Sequence, residues 1–186
     1  APITAGILIL ATGFLSQPKQ PDLPGIESFA GKIIHTADWD HDYDLNGRRA
    51  AVIGTGATAV QLLPEIAPKL EQLDVYQRTP IWVTPKLDGD IPPAIRRMFA
   101  LLPLTQRSAR LVSDSILETI MVTGVLYNKM LPFITRVMER LCKAHMKSQI
   151  KNPALRRKLT PQYSFGCKRP TFSNTYYPTF NRDNVE

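Results

Sequence analysis

Two cysteines, three histidines and 8% aromatic residues leave this 186-residue chain little material for metal sites or disulfide frameworks. Cys142 and Cys167 lie far apart with no C-x-x-C spacing, so neither a zinc site nor a disulfide is expected, which suits a reducing, cytoplasmic setting. His41 and His145 have no partner at ligand spacing and read as surface or helix residues, so no metal is expected. Long apolar runs are also missing. A membrane span needs about 18 consecutive apolar residues; Ile7 to Ala11 is too short, and Gly124 to Ile134 is broken by Asn128, Lys129 and Pro132. The first residues carry no basic flank ahead of their apolar run, so no signal peptide is expected.

What is present suits one domain plus an appendage, with 44% hydrophobic residues to supply a core. The formal net charge is +7, and much of the excess lies between Arg136 and Arg169. A ligand with several phosphates accounts for part of it. Nucleic acid and an anionic membrane surface are alternatives for such a patch, although a solvated helix face is the commoner meaning. The stretch from Lys143 to Lys158 lacks the interleaving of aromatic and basic residues that a nucleic-acid surface uses, so no nucleic-acid partner is expected.

The chemistry centres on Arg49 to Gln61. Ala50 to Ile53 read as a short strand, and after Gly56 the apolar residues Val60, Leu63 and Ile66 or Ala67 recur at helical spacing. Strand, glycine turn and helix together form a dinucleotide-binding unit of Rossmann type. Gly54 permits the tight turn, Gly56 lets backbone approach a pyrophosphate, and Ala59 is small enough for helix to pack on strand. The helix N-terminus supplies N–H donors and partial positive charge. An ordinary glycine turn is the bland alternative, and the next strand weighs against it. Leu73 to Gln77 form that strand, ending at Arg78-Thr79-Pro80, about 22 residues past Gly56, where this fold reads the ribose. An acid there would accept from the 2′-OH of NAD. Arg78 instead offers a guanidinium to the 2′-phosphate of NADP, with the Thr79 hydroxyl beside it.

Elsewhere, Gly6 to Leu10 read as a strand buried on both faces, followed by the turn Ala11-Thr12-Gly13. Pro18, Pro21, Pro24 and Gly25 mark an extended linker, and Lys32 to His35 a short strand entering a loop. From Asp90 to Thr160 prolines punctuate four or five helices. In one of them Ile134, Val137, Met138 and Leu141 form the expected packing face, with Arg136, Arg140, Lys143 and Lys147 about 200° away. Upstream, Val112, Ile116 and Ile120, with Leu117 and Met121, give a broader apolar stripe, for which core packing is expected ahead of a substrate tunnel or peripheral membrane contact.

Phe29, Gly31, His35, Trp39 and Asp40 fill the pattern F-x-G-x-x-x-H-x-x-x-W-[PD], and on them the chain resembles the Baeyer-Villiger monooxygenases, flavoproteins that use FAD and NADPH. Gly54, Thr55, Gly56, Ala57, Thr58 and Gln61 look like the family's NADP-binding glycine motif. Arg78 and Thr79 look like its 2′-phosphate reader, and Ala11, Thr12 and Gly13 like its turn near FAD. Gly166-Cys167-Lys168-Arg169 resembles the segment whose lysine meets the 2′-phosphate and whose arginine reaches the flavin. The resemblance implies an α/β fold: a Rossmann-like NADP domain on a parallel sheet, carrying an all-helical insertion, plus a strand and linker of a truncated FAD domain.

The expected layout is FAD-domain end and linker at 1–28, fingerprint at 29–40, NADP domain at 41–90, helical insertion at 91–160 and return to the NADP domain at 161–186. Because a full family member opens with its own FAD-binding glycine motif, the chain is expected to be an internal fragment, inactive alone, that stops before the next strand. The implied reaction uses O2 and a flavin C4a-peroxide to insert oxygen beside a ketone carbonyl, or to oxidise a sulfide. Arg169 is the candidate catalytic residue, since a permanent cation stabilises developing negative charge, worth about 3 to 4 kcal/mol for a single donor. For Phe29, Gly31, His35, Trp39 and Asp40 the implied role is conformational. Cys167 has no identifiable base beside it. The related N- and S-oxygenating flavin monooxygenases, and a basic non-catalytic binding module, are the alternatives.

Overall fold

The structure is a computed structural model that describes residues 4–7, 9, 18–86, 88–125 and 132–186. Its chain divides into two compact units, Ala1–Asp44 and Leu45–Glu186.

In the second unit, β1 (Arg49–Ile53) pairs in parallel with β2 (Gln72–Tyr76), with Ala50 opposite Leu73 and Val52 opposite Val75. Parallel neighbours need a crossover, and α1 (Ala57–Ile66) supplies it. One face of α1 is core: Ala59, Val60, Leu63, Ile66 and the following Ala67 are all buried. Burying a side chain of the Val or Leu kind stabilises by roughly 1.5–3 kcal/mol. On the far side of β2, Val185 forms a parallel bridge with Leu73, and Val75 N–H donates to the Glu186 carbonyl at 2.7 Å. Val185 and Glu186 therefore lie alongside β2 without forming a strand of their own. Asn184, just ahead, donates through Nδ2 to the carbonyls of Ala67 and Leu70 at 2.9 and 2.8 Å, satisfying acceptors left open where α1 ends.

A second parallel pair joins β3 (Val83–Thr84) to β4 (Thr171–Phe172). Between them run α2 (Pro93–Leu101), α3 (Pro103–Val125), α4 (Pro132–Gln149) and α5 (Pro153–Leu159), and a short α6 (Tyr176–Thr179) follows β4. Asn152 caps α5, its Oδ1 accepting from Ala154 N–H at 2.8 Å, with Pro153 in the first turn where no N–H is needed. Trp82, Cys142 and Phe165 form a buried cluster with Met138 and Tyr163 packed on it.

Several expectations change. The buried stripe of α4 is Thr135, Cys142 and Met146, with Met138 partly buried, whereas Val137 and Leu141 are exposed. Of this stripe Cys142 joins Trp82 and Phe165, with Met138 packed against them, and Ile134 is partly buried as well. Val112, Ile116 and Leu117 are 59, 55 and 48% exposed instead of core; α3 meets chiefly α2 and α4 among the described elements. His145 is the helix residue of its two expected readings, half-buried on α4: its Nε2 lies 2.9 Å from the Ser173 carbonyl and its ring packs on Tyr177. No strand forms at Lys32 to His35; His35 makes a lone antiparallel bridge with Asp38, closed by Asp38 N–H to the His35 carbonyl at 2.8 Å. Ile7 and Ile9, expected in a buried strand, are each 82% exposed and in no strand, with no described strand beside them to bury their two faces. Leu8, Leu10, Ala11, Thr12 and Gly13 lie outside the described residues.

Candidate functional site

Gly54 follows β1 with φ +115°, a conformation that disfavours any L side chain, and its N–H extends the β1–β2 ladder by donating to the Tyr76 carbonyl at 2.9 Å. Gly56 is extended and precedes α1, and a Cβ placed on either glycine would meet nothing within 4 Å. The space before the first turn of α1 is thus open to an anion. Ala57 and Thr58 are exposed there and Ala59 is buried against the core, which is the division of labour that the spacing predicts. Thr55 is buried, and its hydroxyl donates to the Thr79 carbonyl at 3.2 Å, tying the glycine loop to the end of β2. Gln61 donates to the Ala57 carbonyl of its own helix at 3.2 Å.

Arg78 and Thr79 continue from β2, and both Arg78 and Lys158 line an open cavity of about 410 Å³. Gln77 lies on the same wall. Its Nε2 donates to the Lys158 carbonyl at 2.9 Å, and its Oε1 is buried without a hydrogen-bond partner.

The segment that carries Lys168 and Arg169 is fastened at three points, none of them legible in the sequence. Tyr163 donates its hydroxyl to the Pro80 carbonyl at 2.9 Å, Trp82 Nε1–H donates to the Tyr163 carbonyl at 2.9 Å, and Phe165 N–H donates to Glu139 Oε1 on α4 at 3.1 Å. Beyond these anchors Gly166 takes φ +92° and turns the chain outward. Cys167, Lys168 and Arg169 are exposed, with Lys168 Nζ 5.0 Å from the centre of the Tyr163 ring. Glycine loop, Arg78-Thr79-Pro80 and Tyr163 to Arg169 are therefore linked through Thr55 and Tyr163.

Cys142 is buried beneath this assembly, and burial pushes its thiol up to about 12, with Glu139 adding to the effect. It is an inert core residue. Burial likewise raises Tyr163 above the ordinary range, so its hydroxyl remains a donor at neutral pH.

In the first unit, Phe29 lies over Gly31 so closely that a Cβ at 31 would sit 2.5 Å from the ring, which makes glycine the residue that accommodates this contact. His35 accepts from Ala37 N–H through Nδ1 at 3.1 Å. Asp40 pairs with Lys32 at 2.8 Å and accepts from Asp42 N–H at 3.1 Å; Lys32 holds its carboxyl below the usual range. Trp39 is half-buried. Phe29, His35 and Asp40 thus make their contacts within their own loop.

Parallel strands joined by a crossover helix, a glycine loop at that helix's N-terminus and an arginine at the next strand's end define an α/β protein. Residues 5–163 match the flavin-binding monooxygenase-like family, and the chain belongs to that family. It is 46% identical over 184 residues to a Baeyer-Villiger monooxygenase of Streptomyces coelicolor, covering 99% of this chain and 35% of that protein. A Baeyer-Villiger monooxygenase of Pseudomonas aeruginosa is 47% identical over 175 residues, 94% of this chain and 32% of the other. Among solved structures, the polycyclic ketone monooxygenase of Thermothelomyces thermophila superposes with TM-score 0.80 at 30% identity, over 95% of this chain and 35% of that one. An oxidised steroid monooxygenase bound to NADP superposes with TM-score 0.71 at 29% identity, over 91% and 38%. The chain thus spans about a third of the length of the curated relatives it matches. No helix among the described residues is long and apolar enough to cross a membrane.

Proposed function

We propose that this chain is the NADP-binding part of an FAD- and NADPH-dependent monooxygenase of Baeyer-Villiger type, acting with O2 on a ketone or sulfide. The observation that carries the reading is the pair of links through Thr55 and Tyr163. They join the glycine loop, the Arg78 segment and the Lys168-Arg169 segment, three stretches that the sequence relates only by chemistry. The names and cofactors of the relatives support it.

Residues 41–90 and 161–186 then form the nucleotide domain around a helical insertion at 91–160, with 29–40 as the linker from a FAD domain whose end lies within 1–28. The open space at Gly54 and Gly56 fits a pyrophosphate, whose charge the α1 N-terminus and the N–H groups of Ala57 and Thr58 would offset. Arg78 and Thr79 would hold the 2′-phosphate, with Lys168 as a further cation. When bound, NADPH supplies hydride and FAD the oxygen-activating chemistry. Arg169, carried outward past Gly166, would bring a guanidinium to stabilise negative charge that develops on the substrate's carbonyl oxygen.

In the enzyme that carries this chain, Arg169→Ala should retain flavin reduction by NADPH and lose ester formation from ketones. Unchanged ester yield removes Arg169 from the chemistry.

A further inference from the structure

We infer that Lys158, at the end of α5, is a second residue that makes the nucleotide site prefer the 2′-phosphorylated dinucleotide. The inference rests on the NADP reading above and adds to it a residue to which the sequence attaches no role.

The cavity of about 410 Å³ beside β2 has Arg78 on its wall and Lys158 with it, while Lys168 does not line it. Its apolar side is Val75, Leu155, Leu159 and Phe180, and Glu186 is the one acid. An apolar wall with two cations at its edge suits a nucleoside that bears an extra phosphate. A helix end is by itself a poor place for an anion, because its last carbonyls carry partial negative charge. Two features offset this. Gln77 Nε2 occupies the carbonyl of Lys158 itself, and Lys158, the one of the three basic residues in the last turn of α5 that lines the cavity, brings an ammonium to that end. Gln77 Oε1 is left buried without a donor, so the wall holds an acceptor that a ligand's hydroxyl or amino group can satisfy after a small shift.

The same geometry explains why Lys158 escapes notice in the sequence. It sits about 80 residues from Arg78 in a run of basic residues that reads as an ordinary helix end.

The test is the ratio of KM for NADPH to KM for NADH in the full enzyme, measured for Arg78→Ala, Lys158→Ala, Lys158→Arg and, as a neighbouring helix-end charge, Arg157→Ala. Lys158→Ala should raise KM for NADPH about tenfold, the effect of about 1.4 kcal/mol, and leave KM for NADH within about twofold. Lys158→Arg should restore the wild-type ratio, and Arg157→Ala should leave it unchanged. A collapse of the ratio in Arg78→Ala with none in Lys158→Ala overturns the role of Lys158 and leaves the NADP reading standing. Equal changes in Lys158→Ala and Arg157→Ala also overturn it, since a diffuse field would then explain the effect. If Arg78→Ala itself leaves the ratio unchanged, the NADP reading fails and the inference with it.

Discussion

The hydroxyl of Tyr163 donates to the carbonyl oxygen of Pro80 at 2.9 Å, and the ring that carries this hydroxyl lies under Lys168 Nζ at 5.0 Å. One side chain thus ties the loop after β2 to the segment bearing Lys168 and Arg169. Tyr163→Phe keeps the ring and removes the donor, leaving the Pro80 carbonyl without its partner. We expect a loss of about 1 kcal/mol in unfolding free energy and roughly a fivefold rise in KM for NADPH, read by denaturant titration and steady-state kinetics. An unchanged KM would show that the tie does not position the nucleotide site.

Glu139 holds the same segment from the other side, accepting from Phe165 N–H at 3.1 Å. Glu139→Ala would orphan a partly buried N–H, at about 1–3 kcal/mol. Glu139→Gln keeps an acceptor in place and should recover most of that loss. If both variants destabilise equally, charge and not hydrogen bonding is what Glu139 contributes.

Thr55 is buried and spends its hydroxyl on the Thr79 carbonyl. Thr55→Val preserves shape, so the expected effect is that of one hydrogen bond, about 1 kcal/mol, felt in KM for NADPH more than in kcat. A drop in kcat with KM unchanged would place Thr55 in the chemistry instead.

Cys142 gives an alkaline signature. Its folded pKa of about 12 stands above the ordinary 9.0, so between about pH 9 and pH 12 the unfolded chain releases a proton that the folded chain keeps. Stability is therefore complete below pH 9 and falls as pH rises through that window, at no more than roughly 1.4 kcal/mol per pH unit from this group. Tyr176 and Tyr177, also raised by burial, act in the same direction. Cys142→Ala should flatten the pH dependence of the urea midpoint above pH 9 relative to wild type; parallel curves would mean that the thiol is hydrated.

How much of this is legible in the sequence depends on the range of the interactions. The β1–turn–α1 unit is local, and its reading holds closely: Ala50 to Ile53 against the observed Arg49–Ile53, and Val60, Leu63, Ile66 and Ala67 all buried. The second strand is offset by one residue, Gln72–Tyr76 in place of Leu73 to Gln77. Hydropathy reads the packing face of α4 only in part: Ile134 and Met138 are partly buried, Met138 against the cluster of Trp82, Cys142 and Phe165, whereas Val137 and Leu141 are exposed and Thr135, Cys142 and Met146 are buried. At the candidate site Gly54, Gly56, Arg78 and Lys168 carry type-and-spacing signals. Tyr163, Glu139 and Lys158 carry none, because their partners lie 83, 26 and 81 residues away along the chain. Only the folded chain brings such pairs together.

The central claim is that the end of β2 reads a 2′-phosphate. Competition against NADPH by two fragments, 2′,5′-ADP and 5′-AMP, isolates that phosphate from the rest of the cofactor. The wild-type enzyme should bind 2′,5′-ADP about ten- to a hundredfold more tightly than 5′-AMP, the range given by one or two charge-assisted hydrogen bonds, and Arg78→Ala should bring the two close to parity. Equal inhibition of the wild-type enzyme by both fragments would contradict the claim.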